Sequence, residues 1–168
     1  MAKEPAWLTA ARAKLGTREA PGVANNPTIM GWAKRLGTKV LGMVYNADSV
    51  PWCGLFAAQC VTEAGLIPPK IAVRAKAWAS WGVPINTDNL APGAVLVFER
   101  QGGGHVGFYV GERPDAYRVL GGNQGDAVTL AWIAKDRCVA RRWPASRPRV
   151  GAPVQLASNG EPLSRDEA

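Results

Sequence analysis

Apolar positions along this chain change their spacing once, shortly after residue 90. Before that point they recur every three or four residues, as on one face of a helix; after it they fall in short runs rich in β-branched and aromatic side chains. Pro5 to Leu15 reads as a helix stopped by Gly16. Asn26-Pro27 supplies an N-cap and a first-turn proline for a short helix ending near Gly37. After a loop through Asn46, Asp48 and Pro51, a third helix is predicted to begin close to Cys53. Its Phe56, Ala57, Cys60, Val61 and Ala64 build one apolar face, and Gly65 ends it. A further short helix is predicted over Val73 to Ser80.

Strands are predicted over Ala94–Phe98, His105–Val110, Tyr117–Leu120, Val128–Trp132 and Arg137–Arg141, separated by Gly, Pro, Asp and Asn as in an antiparallel meander. Helices first and strands afterwards indicate an α+β domain rather than alternating βαβ units. The chain of 168 residues is long enough for one domain with a sizeable core. Residues 1–144 are assigned to that domain. Residues 145–168, rich in Pro, Arg, Ser and Gly and without a period, read as a tail that is mobile at its end.

Charge narrows the class of partner. Twenty basic against 13 acidic side chains leave a formal charge of +7, which favours the neighbourhood of polyanions. No dense Lys/Arg run tracks a phosphate backbone, so nucleic acid is set aside in favour of anionic wall or membrane polymers. One histidine and three cysteines without short ligand spacing argue against a zinc site, and neither metal nor other cofactor is expected. The N-terminal residues lack the basic start and apolar block of a secretory signal, and no apolar run reaches membrane-span length. A protein folded in a host cytoplasm is therefore expected, and a monomer.

Three features carry candidate chemistry. Trp52-Cys53-Gly54 stands at the start of a helix, where unpaired N–H groups and the helix dipole favour a thiolate and can receive an oxyanion. His105, the single histidine, opens a strand after three glycines. Gly121-Gly122-Asn123-Gln124 follows the next strand, so that the Asn123 carbonyl can hold the His105 ring and fix its tautomer. The order Cys, His, Asn is that of a nucleophile, its base and an orienting group.

Trp52-Cys53, Pro92-Gly93, His105-Val-Gly-Phe-Tyr-Val-Gly111 and Leu120-Gly-Gly-Asn-Gln124 resemble the CHAP and NlpC/P60 group of papain-like peptidoglycan hydrolases, in its phage-associated branch. The resemblance extends over roughly residues 5 to 144. It implies a papain-like fold with N-terminal helices packed on a central antiparallel sheet. It further implies an endolysin-like enzyme that cleaves an amide of the wall peptide, as an N-acetylmuramoyl-L-alanine amidase or an endopeptidase. By position it makes Cys53 the nucleophile, His105 the base and Asn123 the third member, with Asp126 in reserve.

The chain departs from that group in three places. It has no second histidine, Gly121 stands where many CHAP domains carry a glutamate, and Ala94 stands where an acidic residue usually follows Pro-Gly. Glu19, Asp48, Trp52 and Gln124 are candidate substrate contacts. Trp81 is a further cleft candidate, whereas Trp7, Trp32 and Trp78 are assigned to the core. Other uses of the same residues are a non-catalytic wall-binding module, a virion-borne hydrolase, an antibacterial effector, or a papain-like acyltransferase.

Overall fold

The computed structural model describes residues 4–157, 163, 164 and 167. Three helices come first: α1 (Ala6–Arg12), α2 (Pro27–Leu41) and α3 (Cys53–Glu63). Six strands follow: β1 (Val83–Pro84), β2 (Val95–Arg100), β3 (Gly103–Arg113), β4 (Ala116–Gly121), β5 (Thr129–Ala134) and β6 (Cys138–Trp143). They form one antiparallel sheet in the order β1-β6-β2-β3-β4-β5. The α+β class expected from the change of period is the class observed. No helix among the described residues is long and apolar enough to cross a membrane.

Several boundaries differ from the sequence reading, each for a local reason. Asn26 caps α2 as expected, its side chain accepting from the N–H groups of Thr28 and Ile29. The helix does not stop at Gly37. That glycine leaves helical geometry with φ 80°, one further turn forms, and Gly42 closes it in the left-handed region. Residues Ala75–Ser80 form a 3₁₀ helix, begun by Arg74 in extended geometry. The short β1 carries Pro84 at the sheet edge, where no inward ladder donor is needed.

The apolar face of α3 lies on the sheet through Phe56, whose ring is 6.1 Å from that of Phe108 and 6.0 Å from that of Trp32. Trp7 from α1 stacks edge-on against Trp143 of β6 at 5.3 Å and donates its indole N–H to the Gly93 carbonyl at 2.7 Å. Trp7, Trp32 and Trp78 are buried, as the helical spacing required.

Part of the expected tail, residues 154–156, pairs with the sheet. Glu112 N–H donates to the Val154 carbonyl and Leu156 N–H donates to the Glu112 carbonyl, both at 2.8 Å. This segment lies beside β3 beyond the last pair with β2, and the Leu156 side chain fills the space beside Gly111. An otherwise open ladder edge is what holds residues 154–156. Its expected mobile end falls largely outside the described residues.

Candidate active site

Cys53 is the first residue of α3, and the thiol is buried at the meeting of three segments. The backbone N–H groups of Val106 and Gly54 act on its thiol in the direction that favours the thiolate. The helix start is pressed against the loop before the 3₁₀ helix. A Cβ on Gly54 would lie 2.2 Å from the Ala72 carbonyl oxygen and 2.6 Å from that of Val73. Only a glycine after the cysteine permits that approach, which gives Cys53-Gly54 a packing reason independent of chemistry.

His105 sits on β3, paired with Phe98 of β2, and is 0 % exposed. Its Nε2 lies 3.0 Å from Gln124 Oε1. The Gln124 amide is oriented by its own donors: Nε2 donates to the Val119 carbonyl at 3.2 Å and to the Thr129 carbonyl at 2.8 Å. Two carbonyl acceptors on the amide nitrogen leave Oε1 for the ring. An amide oxygen can only accept, so the proton of the neutral ring resides on Nε2 and Nδ1 keeps its lone pair. Nδ1 is buried and has no hydrogen-bond partner among the described residues. Val106, whose N–H acts on the Cys53 thiol, follows His105 directly in the chain, and no thiol–imidazole hydrogen bond forms among the described residues.

The third role falls differently from the expectation. Asn123 does not hold the ring: its Oδ1 is buried without a hydrogen-bond partner among the described residues, and its backbone lies in the left-handed region at φ 59°. That turn brings the following residue, Gln124, back over the sheet. The reserve candidate Asp126 is exposed on the same turn, also at φ 59°, and offers its backbone carbonyl to the Glu19 N–H. Gly121 explains why Gln124 fits. A Cβ there would lie 2.4 Å from Gln124 Oε1 and 3.2 Å from His105 Nε2. The absent side chain at position 121 leaves the space that the Gln124 amide enters. The signal was present in Gly-Gly-Asn-Gln, but the reach of its last residue is not visible in one dimension.

The expected substrate contacts each have partners within the chain. Trp52 is 0 % exposed and donates its indole N–H to Oε2 of the half-buried Glu19 at 3.1 Å, so the indole is not offered to a ligand in this structure. Asp48 is 1 % exposed and accepts from the Ala20 N–H at 2.9 Å and the Asn26 N–H at 2.6 Å, which pins two loops together. Gln124 is committed to His105. Trp81 donates to the Ile67 carbonyl and does not line the cleft at Cys53.

An open cleft of about 380 Å³ reaches Cys53. Arg74, Lys76, Arg100 and the glycine turn before His105 form its walls. These cations were not singled out in the sequence, because they come from two segments some 25 residues apart. A larger hollow of about 480 Å³, bounded by Arg100, Arg137 and Glu167, shares only Arg100 with it and does not contain Cys53.

Electrostatics reverse one expectation. Burial pushes the Cys53 thiol up, against the opposing pull of the Val106 and Gly54 N–H groups and of Arg100. Burial likewise pushes His105 down to about 4, with the Gln124 hydrogen bond acting the other way. Burial thus works against the thiolate that the helix start alone favours, and against the charged imidazole. Cys60 is buried and its thiol is also pushed up by desolvation, so it is inert packing. Among the described residues no group of three or more His, Cys, Asp or Glu side chains is placed to hold a metal ion.

No protein-family model matches the chain, and no curated protein matches it.

Proposed function

We propose that this chain is a papain-like cysteine hydrolase that cleaves an amide bond in the peptide of bacterial peptidoglycan, with Cys53 as nucleophile and His105 as base. One observation carries the reading: Gln124 holds His105 by Nε2 and leaves Nδ1 as a bare, buried proton acceptor. Cys53 lines a cleft, and the N–H of Val106, the residue after His105, favours its thiolate.

In the proposed reaction the thiol proton passes to His105 Nδ1 as the sulfur forms a bond to the scissile carbonyl. The unpaired N–H groups of the first turn of α3 face the oxygen on which charge develops. His105 then protonates the departing amine as the C–N bond breaks, leaving a thioester on Cys53. Water gives a proton to the same nitrogen, attacks the thioester and releases the acid and the thiol. Burial that disfavours the charged imidazole suits this sequence, because the base is then deprotonated when substrate arrives. Tightening of a long catalytic contact on substrate binding is common in such sites.

The biological setting we favour is an endolysin released at the end of a phage cycle, its positive charge holding it near anionic wall or membrane polymers. The test is digestion of purified peptidoglycan followed by mass spectrometry. Wild-type protein is expected to release new amide-cleavage products, a free lactyl–peptide junction for an amidase or a split stem for an endopeptidase. Cys53→Ala and His105→Ala are each expected to release none. Wild-type-like release by both variants refutes the assignment.

A further inference from the structure

We propose that the cleft beside Cys53 is a carboxylate site, in which Arg74 and Arg100 hold a free carboxylate of the substrate next to the bond under attack. This deepens the hydrolase reading and rests on it for the identity of the substrate as an acidic peptide, but not for the binding itself.

Four charged side chains decide the character of the cleft. Arg74 and Lys76 project from the start of the 3₁₀ helix, and both are exposed. Lys76 is tied to Glu99 at 3.0 Å, which largely cancels that pair. Arg100, at the end of β2, spends its Nε on the Gly104 carbonyl at 3.1 Å and its Nη1 on the Gln101 carbonyl at 3.3 Å. Neither contact neutralises its charge, and among the described residues neither Arg74 nor Arg100 is paired with a carboxylate. The cleft that admits ligand to the sulfur is thus net positive.

Its floor is also shaped for close approach. The Gly102-Gly103-Gly104 turn keeps side chains out of the mouth, and a Cβ on Gly104 would meet the Lys76 stem at 2.9 Å. Guanidinium groups bind carboxylates through two parallel N–H donors, which fixes orientation as well as position. A peptide bearing a free carboxylate beside the scissile amide is the substrate class these walls fit. A peptide amidated at that position lacks the charge.

Two measurements test the site, and neither requires turnover. The first compares alkylation of Cys53 by iodoacetate and by iodoacetamide, read at that cysteine by peptide mass spectrometry. In both reactions the sulfur forms a bond to carbon, the C–I bond breaks and iodide departs. The reagents are nearly the same size and use the same thiolate, so their rate ratio cancels burial and pKa and reports local charge. Relative to glutathione, the ratio at Cys53 is expected to favour iodoacetate several-fold. That preference is expected to fall in Arg74→Gln and in Arg100→Gln, and to survive in Arg74→Lys.

The second measures binding of a stem tripeptide with a free α-carboxylate, and of its carboxamide counterpart, to the Cys53→Ala protein by calorimetry. The carboxylate form is expected to bind at least about tenfold more tightly, and Arg74→Gln to erase the difference. Equal affinity, or binding of neither form, overturns the proposal, as does a glutathione-like alkylation ratio that no variant changes. The two readings fail separately. Hydrolysis without a carboxylate preference removes the site and leaves the hydrolase; a carboxylate preference without any hydrolysis of peptidoglycan does the reverse.

Discussion

The His105 ring and the Gln124 carboxamide meet at 3.0 Å in a buried setting, and the orientation of the amide decides which ring nitrogen keeps its lone pair for the proposed reaction. Replacing Gln124 by Leu leaves the His105 N–H buried without an acceptor. A cost of roughly 1–3 kcal/mol in stability is expected from that lost partner. Activity on peptidoglycan is expected to fall about 10–100-fold, mostly in kcat, since orientation and not substrate contact is removed. Gln124→Glu instead places a carboxylate against Nε2 and raises the proton affinity of the ring. Its acid limb is expected to move to higher pH, and a pH–rate profile distinguishes the two variants. An unchanged profile in Gln124→Glu would show that the contact does not act on the ring in solution.

Gly121→Ala tests the same contact from the other side. The added methyl would stand 2.4 Å from Gln124 Oε1, so the amide must leave the ring. Strand pairing at Gly121 with Thr129 does not depend on a side chain, and the fold is expected to persist with loss of about 1–3 kcal/mol. The His105 Nε2–H resonance is expected to shift or broaden into exchange, with activity falling as in Gln124→Leu. Retention of both the resonance and the activity would place the amide elsewhere.

Acid should weaken the fold through His105. Its ordinary value is 6.5, and burial in the folded chain lowers it to about 4. Between those values the unfolded chain binds the proton and the folded chain does not, so stability is lost as pH falls through this window and is intact above it. The largest loss from this one group is on the order of 3 kcal/mol. Because His105 is the single histidine, its ring-carbon proton signals can be followed by NMR without ambiguity. A midpoint near 6.5 would show that the ring is solvated.

Asp48 is expected to matter for stability and not for substrate. Asp48→Ala strands the N–H groups of Ala20 and Asn26 and frees the loops on either side of α2. A loss of roughly 2–4 kcal/mol is expected, seen as a lower Tm, with KM for wall fragments unchanged at temperatures where the variant is folded. A raised KM with a wild-type Tm would restore Asp48 to the binding surface.

The residues themselves determined the class of the fold and the two ends of the candidate site. Helical spacing gave way to short apolar runs, which placed Cys53 at a helix start and His105 near a strand start before any contact was known. These features are local, set by periodicity, caps and glycines within a few positions of each residue. What only the tertiary structure decided is which partner each polar group finds. Asn123 and Gln124 are equivalent on paper; the left-handed turn at Asn123 and the empty space over Gly121 give the ring to Gln124. Trp52 and Asp48 look like ligand contacts until their burial and hydrogen bonds are known. The helix start that promised a thiolate is outweighed by desolvation, which depends on every segment that closes over Cys53. Hydrogen-bond partners and water exclusion are sums over residues far apart in the chain, so no window of sequence contains them.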